Sequence, residues 1–211
     1  MGVTLKLATS LDGRIATASG ESRWITGGEA RAVAHGLRAE HDAVLVGIET
    51  ALADDPELTV RLPGFSRHQP ARVVLDGRGR LPATSKLART AGEIATYVVT
   101  LRGFPAPAGV SHLEVIPGQD GRTALEPALD ALRSKGLTEI LVEGGGQVAA
   151  SFLRAGLVNR IEWFRAPILL GSEGRPALGA LEIGALADAP RFRRVSVEAL
   201  GADLWERYER A

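Results

Sequence analysis

The stretch LVEGGGQVAASFL, residues 141–153, carries the reading of the fold. A short apolar run ends in Glu143, three glycines follow, and helix-forming residues resume at Gln147. An apolar run bounded by turn residues is what a strand buried on both faces leaves in a sequence. Three glycines in a row lose ordering entropy at every position, so either something approaches that backbone closely or the turn is unusually tight. Strand, glycines, then a helix start is also the arrangement that cradles phosphate, because outward N–H groups and the helix dipole both favour an anion. The pattern is weaker than G-x-G-x-x-G and falls late in the chain instead of in the first βαβ unit. Spacing alone leaves two readings open: a phosphate or nucleotide cradle, and a strand–helix joint that needs close packing. Glu143 ends a buried strand, where open α/β sheets place their ligands; an exposed strand-end acid is the plainer reading.

The same grammar repeats outward from this point. AVLVG (43–47), ARVVLDG (71–77) and IATYVVT (94–100) are further buried-strand runs, VTLKLA (3–8) alternates, and HLEVIP (112–117) is a shorter strand. Between them lie helical patterns. TGGEARAVAHGLRAEH (26–41) sets Ala30, Val33, Ala34 and Leu37 on one face, and Thr26 with Glu29 has the spacing of a capping box. Residues 124–135 carry Leu125, Leu129 and Leu132 and stop at Gly136, and 147–156 form another helix ending at Gly156. NRIEWFRAPILLG (159–171) follows, then RRVSVEAL and DLWERYE joined by Gly201-Ala202, an antiparallel hairpin at a sheet edge. Strands alternating with helices predict an α/β fold with a mostly parallel central sheet and helices on both faces. With no internal repeat or low-complexity linker, residues 1–211 are expected to form a single domain, with a polar, mobile loop at 62–70.

Composition narrows the classes of function. Twenty-five basic residues match twenty-five acidic ones, so the charge points to neither nucleic acid nor an acidic membrane. No apolar stretch approaches the length of a membrane span. The chain has no cysteine, which removes thiol catalysis and Cys-based zinc sites and leaves the cytosol as the expected compartment. The histidines at 35, 41, 68 and 112 show no metal-like spacing and read as incidental; no metal is expected. Lys6 interrupts VTLKLA where Leu5 and Leu7 face the core. It either points into a cleft or guards a sheet edge.

Several motifs together, LKLATSLDGRIA, SGESRWIT, HDAVLVGIETALADDPELTVR, LVEGGG and APILLG, resemble the reductase domain of the bifunctional riboflavin-biosynthesis deaminase–reductase, a member of the dihydrofolate-reductase-like fold. The likeness runs from about residue 3 to the end, in the same order. Relatives of that architecture carry an N-terminal zinc deaminase with cysteine ligands. A chain without cysteine is expected to lack it, as a stand-alone reductase or a homologue moved to another substrate. The resemblance implies NADPH-dependent reduction of 5-amino-6-(5-phosphoribosylamino)uracil in its ring-opened imine form, with hydride delivered to ribose C1′ to give the ribitylamino product.

By that resemblance the cofactor is NADPH, lying along Ala8, Trp24, Thr50 and Asp54, with its diphosphate on Gly145, Gly146, Gln147 and Val148. Arg78, with Arg80 beside it, stands where a 2′-phosphate would need cations. Trp24 could equally be a core anchor. Ser22, Arg38, Leu58, Arg61 and Glu143 are implied around the substrate, with Thr26 close by, and Lys6, Asp55 and Glu143 as the eligible proton-moving or orienting groups. A phosphomonoester suits hydroxyls and forked guanidinium groups, which Ser22, Arg38 and Arg61 supply. The plainer reading of Asp54-Asp55-Pro56 is an Asx-type turn.

Other readings remain open at this level. Reduction could precede deamination, on the diaminopyrimidinone; a pterin could be the substrate; or the protein could bind a nucleotide without catalysis. Family members commonly pair through a sheet edge, so a homodimer is expected, with the strand in 159–170 and the final hairpin as candidate edges.

Overall fold

A computed structural model describes residues 1–118, 121 and 123–211. In chain order the elements are β1 (Gly2–Thr9), β2 (Arg14–Ala16), α1 (Gly28–Glu40), β3 (Ala43–Gly47), α2 (Ile48–Asp54), β4 (Ala71–Leu75), α3 (Lys86–Arg89) and β5 (Thr96–Leu101). They continue as β6 (Ser111–Val115), α4 (Leu125–Arg133), β7 (Glu139–Gly144), α5 (Gly146–Arg154), β8 (Arg160–Arg165), β9 (Arg175–Pro176), β10 (Phe192–Leu200) and β11 (Asp203–Arg210). The fold is α/β with a mostly parallel central sheet and an antiparallel C-terminal hairpin. Two compact units divide the chain, one of Met1 with His35–Leu141, the other of Gly2–Ala34 with Val142–Ala211.

In the first unit β3, β4, β5 and β6 lie side by side and parallel. Every residue of β3 and β4 is buried, as their unbroken apolar runs require of strands covered on both faces. Val44, Val46, Ile48, Ala51, Leu58, Val74, Leu81, Leu87 and Val98 form the core of this unit. Arg72 sits within it, 1% exposed. Its guanidinium donates to Thr96 Oγ1 (2.6 and 3.0 Å), Thr90 Oγ1 (2.7 Å), Ile94 O (3.0 Å) and Leu87 O (3.2 Å). Burial pulls this group below its ordinary value, against the pull of Glu93 and Glu57. A buried cation is tolerated there because its fork of donors meets acceptors.

Asp42 sets where three strands begin. Its Oδ2 accepts from the N–H and hydroxyl of Thr138 and the N–H of Glu139 at 2.8, 2.9 and 2.9 Å. Its own N–H donates to Glu139 O, and its carbonyl accepts from Ala71. Residues ahead of β3, at the start of β4 and at the start of β7 are thus tied to one another. The loop expected at 62–70 is closed at its base by Gln69, whose amide accepts from Val60 N–H at 2.7 Å and donates to Val60 O at 3.1 Å.

In the second unit the strand order is β10-β11-β8-β1-β7. β1 pairs in parallel with β8, and β8 pairs antiparallel with β11. This corrects one expected edge: with a partner on each side, β8 has none to offer, and β10 is the outer strand. The Gly201-Ala202 hairpin forms as expected, with Gly201 at φ 63° and one bulge between Arg194 and Ser196. The capping box is a second correction. The helix begins at Gly28, Arg31 N–H bonds Gly27 O, and the Gly27 N–H is taken by Asp203 Oδ2 at 2.6 Å. Thr26 therefore stands one residue outside the cap, its carbonyl accepting from the Arg31 side chain at 2.8 Å. α2 and α3, of seven and four residues, were not visible as periodic patterns because so short a helix shows no repeat.

Candidate active site

Lys6 and Glu143 come together in the second unit. Leu5 and Leu7 of β1 are 1% and 6% exposed, and period-two alternation turns Lys6 to the opposite face. There its ammonium lies 4.0 Å from Glu143 Oε2, the side chains 16% and 7% exposed. β1 stands inside the sheet order of its unit, so Lys6 is not an edge gatekeeper, and Glu143 is not an exposed strand-end acid. Across the parallel pair, Lys6 is level with Glu162 of β8. Glu162 is 2% exposed and accepts from Trp205 Nε1 at 2.7 Å. The sequence reading passed it over, although an acid amid the apolar residues of NRIEWFR is the same anomaly that singled out Lys6.

Past Glu143, β7 ends and α5 starts across the glycines. Gly145 is the N-cap at φ 89°, ψ 111°, and no side chain caps this helix. A Cβ on Gly146 would lie 3.0 Å from Pro176 O and 3.2 Å from Ala177 O. Gly146 O accepts from Gly179 N–H at 2.8 Å, and a Cβ on Gly179 would meet the Gln147 side chain at 2.9 Å. Close packing therefore demands part of the glycine run whatever else it serves. The first-turn N–H groups and the helix dipole give the same spot the character of an anion site. Gln147 is exposed, and Val148 and Ala8 are half-buried.

Trp24 is 67% exposed, which excludes the core-anchor reading. Arg31 lies over its ring at 4.5 Å and Arg23 at 5.9 Å. The exposed indole is thus held by cation–π contact with the two guanidinium groups. Ser22 before it is half-buried, and Thr26 after it is buried.

The first unit holds the other expected residues. Thr50 and exposed Asp54 lie on α2, and Asp55 closes that helix in the left-handed region at φ 39°. Asp55 Oδ1 accepts from Lys86 N–H at the start of α3, 2.9 Å away, a tie across the unit in place of a local Asx turn. Leu58 also has a positive φ, 55°, and its side chain is buried in the core at 4%, so it offers only backbone outward. Arg38 Nη1 donates to Thr59 O at 2.8 Å, while Arg61 is exposed and pairs with Glu57 at 3.2 Å. Arg80 pairs with Glu49, leaving Arg78, exposed, as the cation of that turn.

Not all histidines are incidental. His35 Nδ1 is 3.1 Å from Thr59 O and accepts from Arg61 N–H at 3.2 Å, where spacing in search of metal ligands could not have found it. Among the described residues no group of three or more His, Asp or Glu could hold a metal ion, and no helix is long and apolar enough to cross a membrane.

The fold is α/β, and its second unit sets the Lys6–Glu143 pair just ahead of a glycine-opened helix. The chain belongs to the RibD C-terminal domain family, whose sequence pattern matches residues 2–205. The riboflavin biosynthesis protein RibD of Aquifex aeolicus is 39% identical over 207 residues, 96% of this chain and 56% of that protein. Its Escherichia coli counterpart is 36% identical over 213 residues, 96% of this chain and 58% of that protein. The chain thus spans little more than half the length of these relatives. Among solved structures, Acinetobacter baumannii RibD matches with a TM-score of 0.83 at 35% identity, covering all of this chain and 58% of that one. The yeast riboflavin biosynthesis reductase Rib7 shares the fold, with a TM-score of 0.78 at 21% identity over 90% of its chain.

Proposed function

We propose that residues 1–211 form one dihydrofolate-reductase-like domain, an oxidoreductase of riboflavin biosynthesis that uses NADPH to reduce 5-amino-6-(5-phosphoribosylamino)uracil to its ribitylamino product. The observation that carries the reading is the Lys6–Glu143 pair at 4.0 Å, with Glu143 two residues ahead of Gly145, the glycine N-cap of α5. Proton-handling groups beside an anion-accepting helix start are what a nicotinamide reductase of a phosphorylated sugar amine needs.

The residues present fit the cofactor. Gly145, Gly146, Gln147 and Val148 would hold the diphosphate at the α5 N-terminus. Trp24, Ala8, Thr50 and Asp54 would border its nicotinamide half, and Arg78 its 2′-phosphate. NADPH supplies the hydride that reaches ribose C1′. The protein's own part is binding, orientation and proton supply. Ser22, Thr26, Arg38 and Arg61, with the backbone at Leu58, hold the phosphorylated substrate. Lys6, Glu143 and Asp55 move or orient the protons that open the ribose and leave the nitrogen as an amine once C1′ is reduced. A cytoplasmic homodimer joined through the β10 edge belongs to the same proposal.

The test offers purified protein NADPH with the aminouracil ribosyl phosphate, the undeaminated diaminopyrimidinone and dihydrofolate in parallel. Turnover of the aminouracil compound is expected. Preference for the diaminopyrimidinone would reverse the order of reduction and deamination. Activity on dihydrofolate alone would overturn the substrate assignment.

A further inference from the structure

Residues 55–61 form an irregular segment whose conformation is held from outside. Asp55 and Leu58 both adopt positive φ, 39° and 55°. A non-glycine residue pays roughly 1–2 kcal/mol for such backbone, which persists only where the surroundings over-determine it. Those surroundings can be named. Asp55 Oδ1 takes Lys86 N–H at 2.9 Å, Gln69 bonds both backbone groups of Val60, and Arg38 Nη1 donates to Thr59 O at 2.8 Å. A further tie is His35. Its Nδ1 lies 3.1 Å from Thr59 O and 3.2 Å from the donating Arg61 N–H.

One ring nitrogen is either a donor or an acceptor. As a donor to Thr59 O it would share that carbonyl with Arg38 and take the acceptor away from Arg61 N–H. As an acceptor it receives Arg61 N–H while Arg38 supplies Thr59 O, and the 3.1 Å approach of Nδ1 to Thr59 O is then a contact without a hydrogen bond. We infer that His35 is a positioning residue: a neutral imidazole with its proton on Nε2, whose Nδ1 lone pair receives Arg61 N–H and fixes where that residue leaves the chain. His35 and Arg38 are three apart on α1 and therefore share a face. Arg38 holds Thr59 and His35 holds Arg61, so one helical turn sets two guanidinium-bearing residues in a common frame. The inference rests on the proposed function for its consequence, since Arg38 and Arg61 are there assigned to the substrate phosphate. A planar fork matches phosphate oxygens only if its direction is held.

The experiment compares His35→Ala and His35→Asn with the wild type. Asn keeps an acceptor oxygen at nearly the Nδ1 position; Ala keeps none. Steady-state kinetics with the aminouracil ribosyl phosphate should show substrate KM raised about tenfold in His35→Ala, with NADPH KM and kcat within about threefold. His35→Asn should recover most of that affinity. Amide hydrogen exchange over the peptide containing Arg61 is read on the same proteins without substrate, and should quicken about tenfold in the Ala variant only. Unchanged KM in an active His35→Ala, equal behaviour of the two variants, or a uniform loss of kcat, both KM values and thermal stability would each overturn the inference. A wild type that turns over none of the substrates would sink the proposed function instead. In that case unchanged exchange at Arg61 in His35→Ala would still overturn the positioning role, and faster exchange would support it.

Discussion

The Lys6 ammonium stands 4.0 Å from Glu143 Oε2, and both side chains are largely withdrawn from water, 16% and 7% exposed. Removing either partner leaves the other charge in a dry place. That costs about 3–5 kcal/mol for fully buried pairs, and about 1–3 kcal/mol for a pair this long and partly wetted. Lys6→Met and Glu143→Gln should each lower the thermal midpoint and, if the pair handles protons, reduce kcat roughly 10²–10⁴-fold. Titration of NADPH into each variant should show affinity unchanged within about twofold. A large loss of NADPH affinity with kcat retained would move the pair from proton handling to cofactor binding.

Trp24 gives the opposite pattern. At 67% exposed, with Arg31 4.5 Å over its ring, it contributes little to folding. Trp24→Ala should leave the thermal midpoint within about 1–2 °C, as for surface substitutions generally. If the ring borders the nicotinamide half, calorimetric titration should show NADPH bound about tenfold more weakly. Trp24→Phe should lie between.

How much of this could be read in advance follows from what each signal depends on. Buried strands announce themselves through unbroken apolar runs, so β3, β4, β5 and β7 were legible within a residue or two. Lys6 was legible as a charge in an apolar alternation, and Glu143 as an acid at a strand's end. Long-range partners were not. Nothing in the sequence couples Gly27 to Asp203, which replaces the expected capping box, or Asp42 to Thr138. His35 escaped because its role lies in meeting a strained backbone in another segment, and backbone dihedrals at Asp55 and Leu58 leave no compositional trace. Trp24 showed that residue type alone cannot tell a core anchor from an exposed ring.

Asp42 makes a prediction for acid stability. Burial raises its carboxyl, and this is outweighed by the hydrogen bonds from Glu139 N–H, Thr138 N–H and the Thr138 hydroxyl, with His41 adding to them. The net shift is downward from 3.8. A depressed acid contributes stability above its unfolded value and loses it as pH falls through the folded one. The contribution should therefore be whole at neutral pH and fall away progressively as pH drops below about 4 and through the lower folded value. Asp42 is exposed, so solvent screening trims the effect, and Asp42→Asn should destabilise the protein by about 0.5–1 kcal/mol at pH 7. That deficit should shrink when denaturant midpoints are measured toward pH 3, and a deficit independent of pH would show that the charge on Asp42 is immaterial.

The glycines at 145 and 146 separate the two readings of the strand–helix joint, because they are glycine for different reasons. Gly145 needs its φ of 89°, so Gly145→Ala meets backbone strain of about 1–2 kcal/mol. Gly146 has no such φ, but a Cβ there would sit 3.0 and 3.2 Å from two carbonyl oxygens of residues 176 and 177. That segment is pinned by Ala177 N–H to Gly13 O and Gly179 N–H to Gly146 O, at 3.0 and 2.8 Å, so it yields only by breaking bonds. Overpacking of this kind costs about 1–3 kcal/mol, which for a protein of this size lowers the thermal midpoint by roughly 2–12 °C. Both variants should melt lower. If the diphosphate also sits on the first turn of α5, both should bind NADPH at least about tenfold more weakly at a temperature where they remain folded. Lower melting with undiminished NADPH affinity would mean that packing alone demands the glycines, and that the anion is held elsewhere.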